Sequence, residues 1–424
     1  FQSILNKELK DEIILFSDLQ KFVLSIKKPR KIIILIPAGK YVDMLLENLL
    51  PLLDKNDNIL DGGNEWYKNT ESRQSHKLIL EKDINYLGCG ISGGEKGARN
   101  GPCMMPGGSL TAYKCFEDVL LKICVKYKDD VCVSYFGKGG IGNYIKMVHN
   151  GIEYALMQII SEVYLILKNN KLTNSEIANT LEKWNENLFN CYLLEIAIKI
   201  LRKKDNDSSD YLLDKIVDIV ESKGTGHMTV IDALEKKVPI NIIYSALEFR
   251  NISSFKKNII LSNENDLVND LSHKNLNEDL KNAMYLGFIL SFIQGLNLIN
   301  EHYKICNDNN SIDLINLLKV WRNGCIIKCN LLSDLITYLD GVSNINKLYD
   351  FLDQKKYSYY SLYKMIQNNV NLPLITLNNC HIYFNLIYSK NLESGKLLQA
   401  MRDCFGGHMY ERNDKNGKFH TEWI

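Results

Sequence analysis

The stretch Gly137-Lys138-Gly139-Gly140-Ile141-Gly142-Asn143-Tyr144-Ile145-Lys146-Met147-Val148-His149-Asn150-Gly151-Ile152-Glu153-Tyr154 divides the chain into two kinds of sequence. Before it, short β-branched runs alternate with helical patterns. After it, strand patterns nearly vanish. The stretch opens on glycines and runs into a long helical pattern, expected over Asn143–Lys168. Lys146, His149, Asn150, Glu153 and Tyr154 follow i, i+3, i+4, i+7, i+8 spacing, which stacks them on one helix face. Ile145, Val148, Ile152, Leu156 and Ile159 form an apolar face opposite. The bland reading is a solvated Lys–Glu pair of little energetic value. A base, an acid and three hydrogen-bonding groups in register instead suggest the floor of an active site.

Working outward toward the N-terminus, Lys31–Ile36 (KIIILI) reads as a buried strand. Lys40–Leu53 reads as an amphipathic helix, and Asn58–Leu60 as a strand ending in the turn Asp61-Gly62-Gly63-Asn64. Lys68–Glu81 is expected as one helix, with Ile84–Leu87 and Val131–Tyr135 as further strands. This alternation argues βαβ units and a mainly parallel sheet, a Rossmann-like α/β fold over residues 1–139. Toward the C-terminus, helical patterns cover Ser175–Asn187, Tyr192–Lys203, Ile240–Phe255, Glu278–His302, Asn330–Leu339 and Leu362–Val370. Residues 140–400 are therefore expected as an all-helical domain. Arg402–Ile424 reads as an extended tail over 401–424. The polar stripe lies at the junction of the two large parts, a preferred place for a pocket.

The 424 residues carry a formal net charge of +1, so no global field draws the chain to nucleic acid. No apolar run approaches the roughly 20 residues of a membrane span. Neither nucleic acid nor membrane is expected as a partner. Eleven cysteines are scattered without a C-x-x-C pair, which favours a reduced, cytoplasmic setting and no metal site.

Two segments fit G-x-G-x-x-G. In Gly88–Gly93, the glycines that follow are expected to deny a helix, so the dinucleotide context fails. Gly137–Gly142 is expected to be a flexible joint rather than the main cofactor loop, because no acidic residue ends a strand at the ~20-residue spacing. Ser92-Gly93-Gly94 opens a Gly-rich loop that is either a surface turn or a nest for an anionic substrate. Lys223-Gly224-Thr225-Gly226-His227, Arg250, Arg402 and His408 each read as surface cations, and together as a set able to neutralise a phosphate.

These strings resemble the 6-phosphogluconate dehydrogenase family. The likeness rests on Asp61–Asn64, Gly90–Arg99, Met105–Gly108, Lys146–Tyr154, Lys223–Gly226 and Arg402–His408, in family order from Lys31 to the C-terminus. It implies oxidative decarboxylation of 6-phosphogluconate to ribulose 5-phosphate and CO2, with NADP reduced to NADPH. It implies Lys146 as base and Glu153 as acid. Asn64, Ser92, Gly93, Gly94, His149 and Asn150 would hold the sugar acid, and Tyr154, Lys223 and Arg250 its phosphate. Pro37, Ala38, Gly39 and Asn64 would face the cofactor. Arg402 and His408 would be given to a partner's site, in a homodimer with exchanged tails. Lys146 is expected in the first turn of its helix, where the positive helix end and burial both lower its pKa.

The chain departs from the family in places. The family has Lys-Ala-Gly where Pro37-Ala38-Gly39 stands, and a lysine where His227 stands. Phe1 falls after the family's first strand, Gly-rich turn and second strand, so about forty residues of nucleotide fold are expected to be absent, the size of a βαβ unit. Such a loss would leave a long sheet edge open. Two alternatives fit parts of the pattern: a related 3-hydroxyacid dehydrogenase, and a catalytically silent sugar-phosphate-binding or dimerisation fragment.

Overall fold

The computed structural model describes residues 13–222, 224–256, 275–307, 309–389 and 393–423. Its helices in chain order are α1 (Leu19–Ser25), α2 (Lys40–Leu49), α3 (Tyr67–Gln74), α4 (Lys77–Glu81), α5 (Gly94–Asn100), α6 (Leu110–Ile123), α7 (Ile141–Asn169), α8 (Asn174–Trp184) and α9 (Tyr192–Arg202). They continue as α10 (Thr225–Lys236), α11 (Asn241–Lys256), α12 (Leu276–Cys306), α13 (Leu314–Trp321), α14 (Asn330–Leu339), α15 (Asn346–Gln354), α16 (Lys356–Asn368), α17 (Ile375–Tyr388) and α18 (Glu393–Gly406). The strands are β1 (Lys31–Ile34), β2 (Asn58–Asp61), β3 (Asn85–Ser92) and β4 (Cys103–Gly108), with two-residue pairs β5–β6 (Lys126–Tyr127, Asp130–Val131) and β7–β8 (Tyr410–Glu411, Lys418–Phe419).

The main described sheet has the order β1-β2-β3-β4. β1, β2 and β3 are parallel, with Ile32 beside Ile59 and Ile59 beside Tyr86. β4 returns antiparallel to β3. Apolar side chains leave both faces of the sheet. Ile32, Ile34 and Ile59 pack under Val42, Leu46 and Ile79. Leu60, Leu87 and Met104 pack under Ala112, Phe116 and Leu120 of α6. The result is a Rossmann-like layer with helices on both sides, as the alternating pattern requires. β1 is an edge of this sheet, and Ile33 on it is 41% exposed.

The other described residues form mainly a helical body around two long helices. α7 has 29 residues and α12 has 31. They cross closely because α12 presents glycine: a Cβ on Gly295 would stand 2.5 Å from the Ile152 side chain. α12 is long and apolar enough to cross a membrane, but its most apolar window is 89% buried among its neighbours. It is the central rod of the helical core.

Several expectations need correction. Gly94–Asn100 is helical, so glycines did not deny a helix after Gly88–Gly93. Gly93 (φ +131°) and Gly101 (φ +101°) bound this short helix instead of melting it. Lys68–Glu81 is two helices, broken where His76 leaves helical geometry and its Nδ1 accepts from Leu78 N–H at 3.3 Å. Val131–Tyr135 is not a full strand. It runs beside β4 through Met104 N–H to Cys132 O (3.0 Å) and Phe136 N–H to Pro106 O (3.2 Å). Pro106 has no N–H, so the ladder cannot continue. β4, α6, α10, α13, α15 and α17 were not read from the sequence. Arg402 is not on an extended tail: it sits in α18, which ends at Gly407 (φ +62°) before the β7–β8 hairpin.

Candidate active site

The site is built where α7 lies across β3 and β4. The two are in near backbone contact because glycines line the seam. A Cβ on Gly90 would stand 2.4 Å from the Lys146 Cβ, and one on Gly142 would stand 2.2 Å from Met105 O. Such distances exclude any side chain without a shift of the helix. This explains the glycines of the first G-x-G-x-x-G segment: Gly88 and Gly90 admit α7, and a Cβ on either would strike Asn143 or Lys146.

Lys146, His149, Asn150 and Tyr154 are all buried in the chain, and Glu153 is half-buried. Lys146 lies in the second turn of α7, not the first, because the helix starts at Ile141. The helix N-terminus is thus about half a turn farther from it than expected, and burial carries the effect on its pKa. Burial holds the Lys146 ammonium below the usual lysine range, against the charge of Glu153 and the nearby Cys103 and Cys325 thiols. Lys146 Nζ stands 3.3 Å from His149 Nδ1. That nitrogen also faces Asn150 Oδ1 at 3.2 Å, while Nε2 meets Ser92 Oγ at 3.2 Å. Burial, then the charge of Lys146, pushes the His149 imidazole well below its ordinary pKa, so it is neutral near pH 7.

Ser92 ends β3, and Gly93 and Gly94 open α5 beside it. The Ile326 N–H donates to Ser92 Oγ at 3.4 Å. A Cβ on Gly93 would stand 2.7 Å from Gly324 O. The Trp321–Ile326 loop therefore closes over the Ser92 end, with the Trp321 ring edge-on to His149 at 5.6 Å. Sequence reading missed this loop. It lies far along the chain from Ser92, and nothing in its spacing signals the contact.

Two turns beyond Lys146, the Arg250 guanidinium stacks on the Tyr154 ring at 3.6 Å. Its Nη1 donates to Glu221 O at 3.1 Å, and Tyr154 OH lies 3.4 Å from Ser222 Oγ. Burial lowers the Arg250 pKa, while Tyr154 and Glu153 support its charge. Ser222, Glu248, Arg250 and Asn251 line a cavity of about 560 Å³ at this end. Lys223 lies outside the described residues. Its neighbours Ser222 and Gly224 (φ +92°) flank the start of α10, and a Cβ on Gly226 would strike the Tyr154 ring at 2.6 Å.

The loops after β1 and β2 meet at the carboxyl ends of the parallel strands, where α/β folds place cofactors. The Gly39 N–H donates to Glu65 Oε2 at 2.8 Å, and buried Arg73 bridges Gly39 O, Asp43, Asp61 and Glu65. Pro37 and Asn64 are exposed on this rim, with Ala38 and Gly39 half-buried between them. A Cβ built on Gly39 meets nothing within 4 Å, so the rim is open on that side. Asn143, one turn before Lys146, donates to Gly63 O at 3.4 Å and ties the rim to α7. An open rim that exposes the Asn64 amide and is tied to the helix of Lys146 has the place and shape for the nicotinamide end of a dinucleotide. Arg402 and His408 are not brought to this site within the chain. Both are exposed, and the main neighbour of α18 is its own hairpin.

Comparison with known proteins agrees with this geometry. Residues 142–423 match the C-terminal domain of 6-phosphogluconate dehydrogenase, and residues 2–137 match its NAD-binding domain. The chain is 40% identical over 423 residues to 6-phosphogluconate dehydrogenase, decarboxylating 1, of Oryza sativa, covering 96% of this chain and 87% of that one. It is 37% identical to the NAD(+)-dependent decarboxylating enzyme of Bacillus subtilis, covering 96% and 88%. A solved 6-phosphogluconate dehydrogenase of Plasmodium falciparum, determined apo, with its cofactor NADP+ and with its substrate 6-phosphogluconate, superposes with a TM-score of 0.92. It is 38% identical, covering 100% of this chain and 92% of that one. The chain is an NAD(P)-binding dehydrogenase by fold and site. It belongs to the 6-phosphogluconate dehydrogenase family.

Proposed function

We propose that the chain converts 6-phosphogluconate to ribulose 5-phosphate and CO2 in the pentose phosphate pathway, with NADP as its oxidant. The carrying observation is the buried line Ser92–His149–Lys146, with Glu153 two turns farther along the same helix. Seven residues of helix rise separate the base and the acid by about 10 Å along the axis. When bound at the rim of Pro37, Ala38, Gly39 and Asn64, NADP supplies the acceptor for the hydride of C3. Lys146, neutral at the outset, takes the proton of the C3 hydroxyl as that carbon becomes a carbonyl. The C1–C2 bond then breaks, CO2 departs, and the electron pair stays on C2. Protonated Lys146 stabilises the oxygen of the resulting enediol. Glu153 gives a proton to the carbon that becomes C1 of the product. Ser92, Gly93, Gly94, His149 and Asn150 hold the sugar acid, and Tyr154, Lys223 and Arg250 its phosphate.

Residues 1–139 serve as the dinucleotide-binding domain and 140–400 as the substrate domain. Residues 401–424 reach a second subunit, to which Arg402 and His408 are supplied. The unburied apolar side chains of α18, Leu397, Leu398, Met401 and Phe405, support a homodimer with exchanged tails. Eleven free thiols support a cytoplasmic setting. The test is NADPH formation from 6-phosphogluconate with stoichiometric CO2, repeated with NAD. Turnover preferring NADP supports the reading. Preference for NAD would overturn the cofactor choice, and no turnover by folded protein would overturn the activity.

A further inference from the structure

A second buried polar cluster lies away from the catalytic stripe. Asp232, on α10, is fully buried. Its Oδ1 accepts from Tyr67 OH at 2.8 Å and Lys236 Nζ at 2.6 Å, and its Oδ2 accepts from Tyr144 OH at 2.6 Å. Tyr67 belongs to α3, Tyr144 to α7, and Asp232 and Lys236 to α10. His302 of α12 closes the cluster by stacking on Tyr144 at 3.6 Å. Burial opposes the Asp232 charge, but Lys236, Tyr144 and Tyr67 more than offset it and hold the carboxyl below its ordinary range. A buried charge is tolerated only when so satisfied.

The elements joined here carry the two ends of the proposed site. Tyr67 stands three residues after Asn64, at the start of the helix leaving the cofactor rim. Asp232 stands in the second turn of the helix that begins at the Gly224–Thr225 loop, on the phosphate side. α10 is also held to α7 by Thr229 Oγ1, which donates to Met147 O at 3.0 Å. The Asp232–Tyr144 bond therefore duplicates a tie within the helical body. The Asp232–Tyr67 bond instead joins α10 to the nucleotide-binding layer, which α7 holds separately through Asn143, whose Oδ1 accepts from Thr70 Oγ1 at 3.0 Å and whose Nδ2 donates to Gly63 O at 3.4 Å. The parallel Lys68–Glu235 pair is half-exposed and adds little.

We propose that Asp232, through the Tyr67 hydroxyl, is a positioning residue that fixes the cofactor rim against the phosphate-side loop and so aligns the two reactants. The inference rests on the proposed function. Each ligand has its own binding loop, so losing the strap leaves each affinity intact and misaligns the pair. Small misplacements of reacting atoms are costly in rate.

The test compares Tyr67→Phe with Tyr144→Phe in the full chain. Each removes one hydroxyl from Asp232 and keeps its ring. The readouts are the single-turnover rate of NADPH formation with both ligands saturating, the Kd of each ligand alone, and Tm. Tyr67→Phe is expected to slow the single turnover about tenfold, with each Kd within about twofold of the parent. Tyr144→Phe is expected to lower Tm comparably and leave the single-turnover rate unchanged. Equal falls in Tm with unchanged rates in both variants would overturn the strap and leave only a structural role. Equal slowing in both would also overturn it. No turnover by the unsubstituted protein would instead mark the failure of the proposed function itself.

Discussion

Lys146 carries the chemistry only if it is neutral when substrate binds. Its depressed pKa makes the rate rise with pH through a value below the ordinary lysine range. Lys146→Met is expected to lower kcat by about a thousandfold, the scale of general-base loss, while 6-phosphogluconate still binds. Retained turnover in steady-state assays would remove Lys146 from the mechanism. The stripe was legible in sequence because five polar residues at helical spacing need no tertiary knowledge. The Ser92–His149 contact spans 57 residues, and the family resemblance, not periodicity, was what joined its two ends in sequence.

Buried imidazoles also set a stability profile. His149 is held well below 6.5, and His302 is pushed down to about 3 by burial and the charge of Lys236. As pH falls below about 6.5, the unfolded chain binds protons at these positions that the folded chain refuses, so stability falls. Glu162 works in the opposite direction. Burial raises it to about 7 from 4.5, so the folded state holds a proton there between those values that the unfolded chain gives up. Glu162 offsets part of this, and stability still falls as pH drops below about 6.5. Urea midpoints should fall between pH 6.5 and 5, and more steeply in Glu162→Gln. A flat profile would show that these histidines protonate freely in the folded chain.

At the scale of elements, the seam between α7 and β3 is the most demanding contact. Gly90→Ala puts a methyl group 2.4 Å from the Lys146 Cβ, so α7 must move. Overpacking of this kind costs about 2 kcal/mol, and the lysine moves with its helix. Activity per folded molecule should fall well beyond what the lost stability explains, as measured by active-site titration alongside Tm. A second long-range device caps α17: Glu162 of α7 accepts the N–H groups of Thr376 and Leu377, each at 2.8 Å. Glu162→Ala would strand both donors and is expected to cost about 3 kcal/mol in chemical denaturation. The two longest helices, α7 and α12, were read nearly to their ends, because periodicity accumulates over many residues, whereas α6 and α17, of 14 residues each, were missed. Short elements such as α5 and β4 were not read either. Seven residues rich in glycine fit a helix only because flanking loops fix both ends, and β4 depends on β3 for its ladder.

At the scale of the whole molecule, α18 and its hairpin form a unit held by Asp403. His420 Nδ1 lies 2.8 Å from that carboxylate, Trp423 Nε1 donates to it at 2.7 Å, and Thr421 N–H at 3.0 Å. Sequence pattern gave a tail but not this folded clip, because its bonds join residues 17 to 20 apart with no periodic signal. If tails are exchanged, two inactive variants should restore each other. Mixing Lys146→Met chains with Arg402→Ala/His408→Ala chains would form heterodimers holding one complete site. Recovered activity after refolding the mixture is the expected outcome. Persistent inactivity in proven heterodimers would mean that each tail serves its own subunit.

The glycine seam has a practical consequence for redesign. It sets the spacing between the sheet that ends in the rim of Pro37–Gly39 and Asn64 and the helix that bears Lys146, without using any side chain. Enzyme engineers could therefore treat the rim at residues 37–39 and 61–64 as an exchangeable cartridge. Substitutions there would retune how the nicotinamide end is held, while the seam keeps Lys146 at an unchanged distance from the sheet.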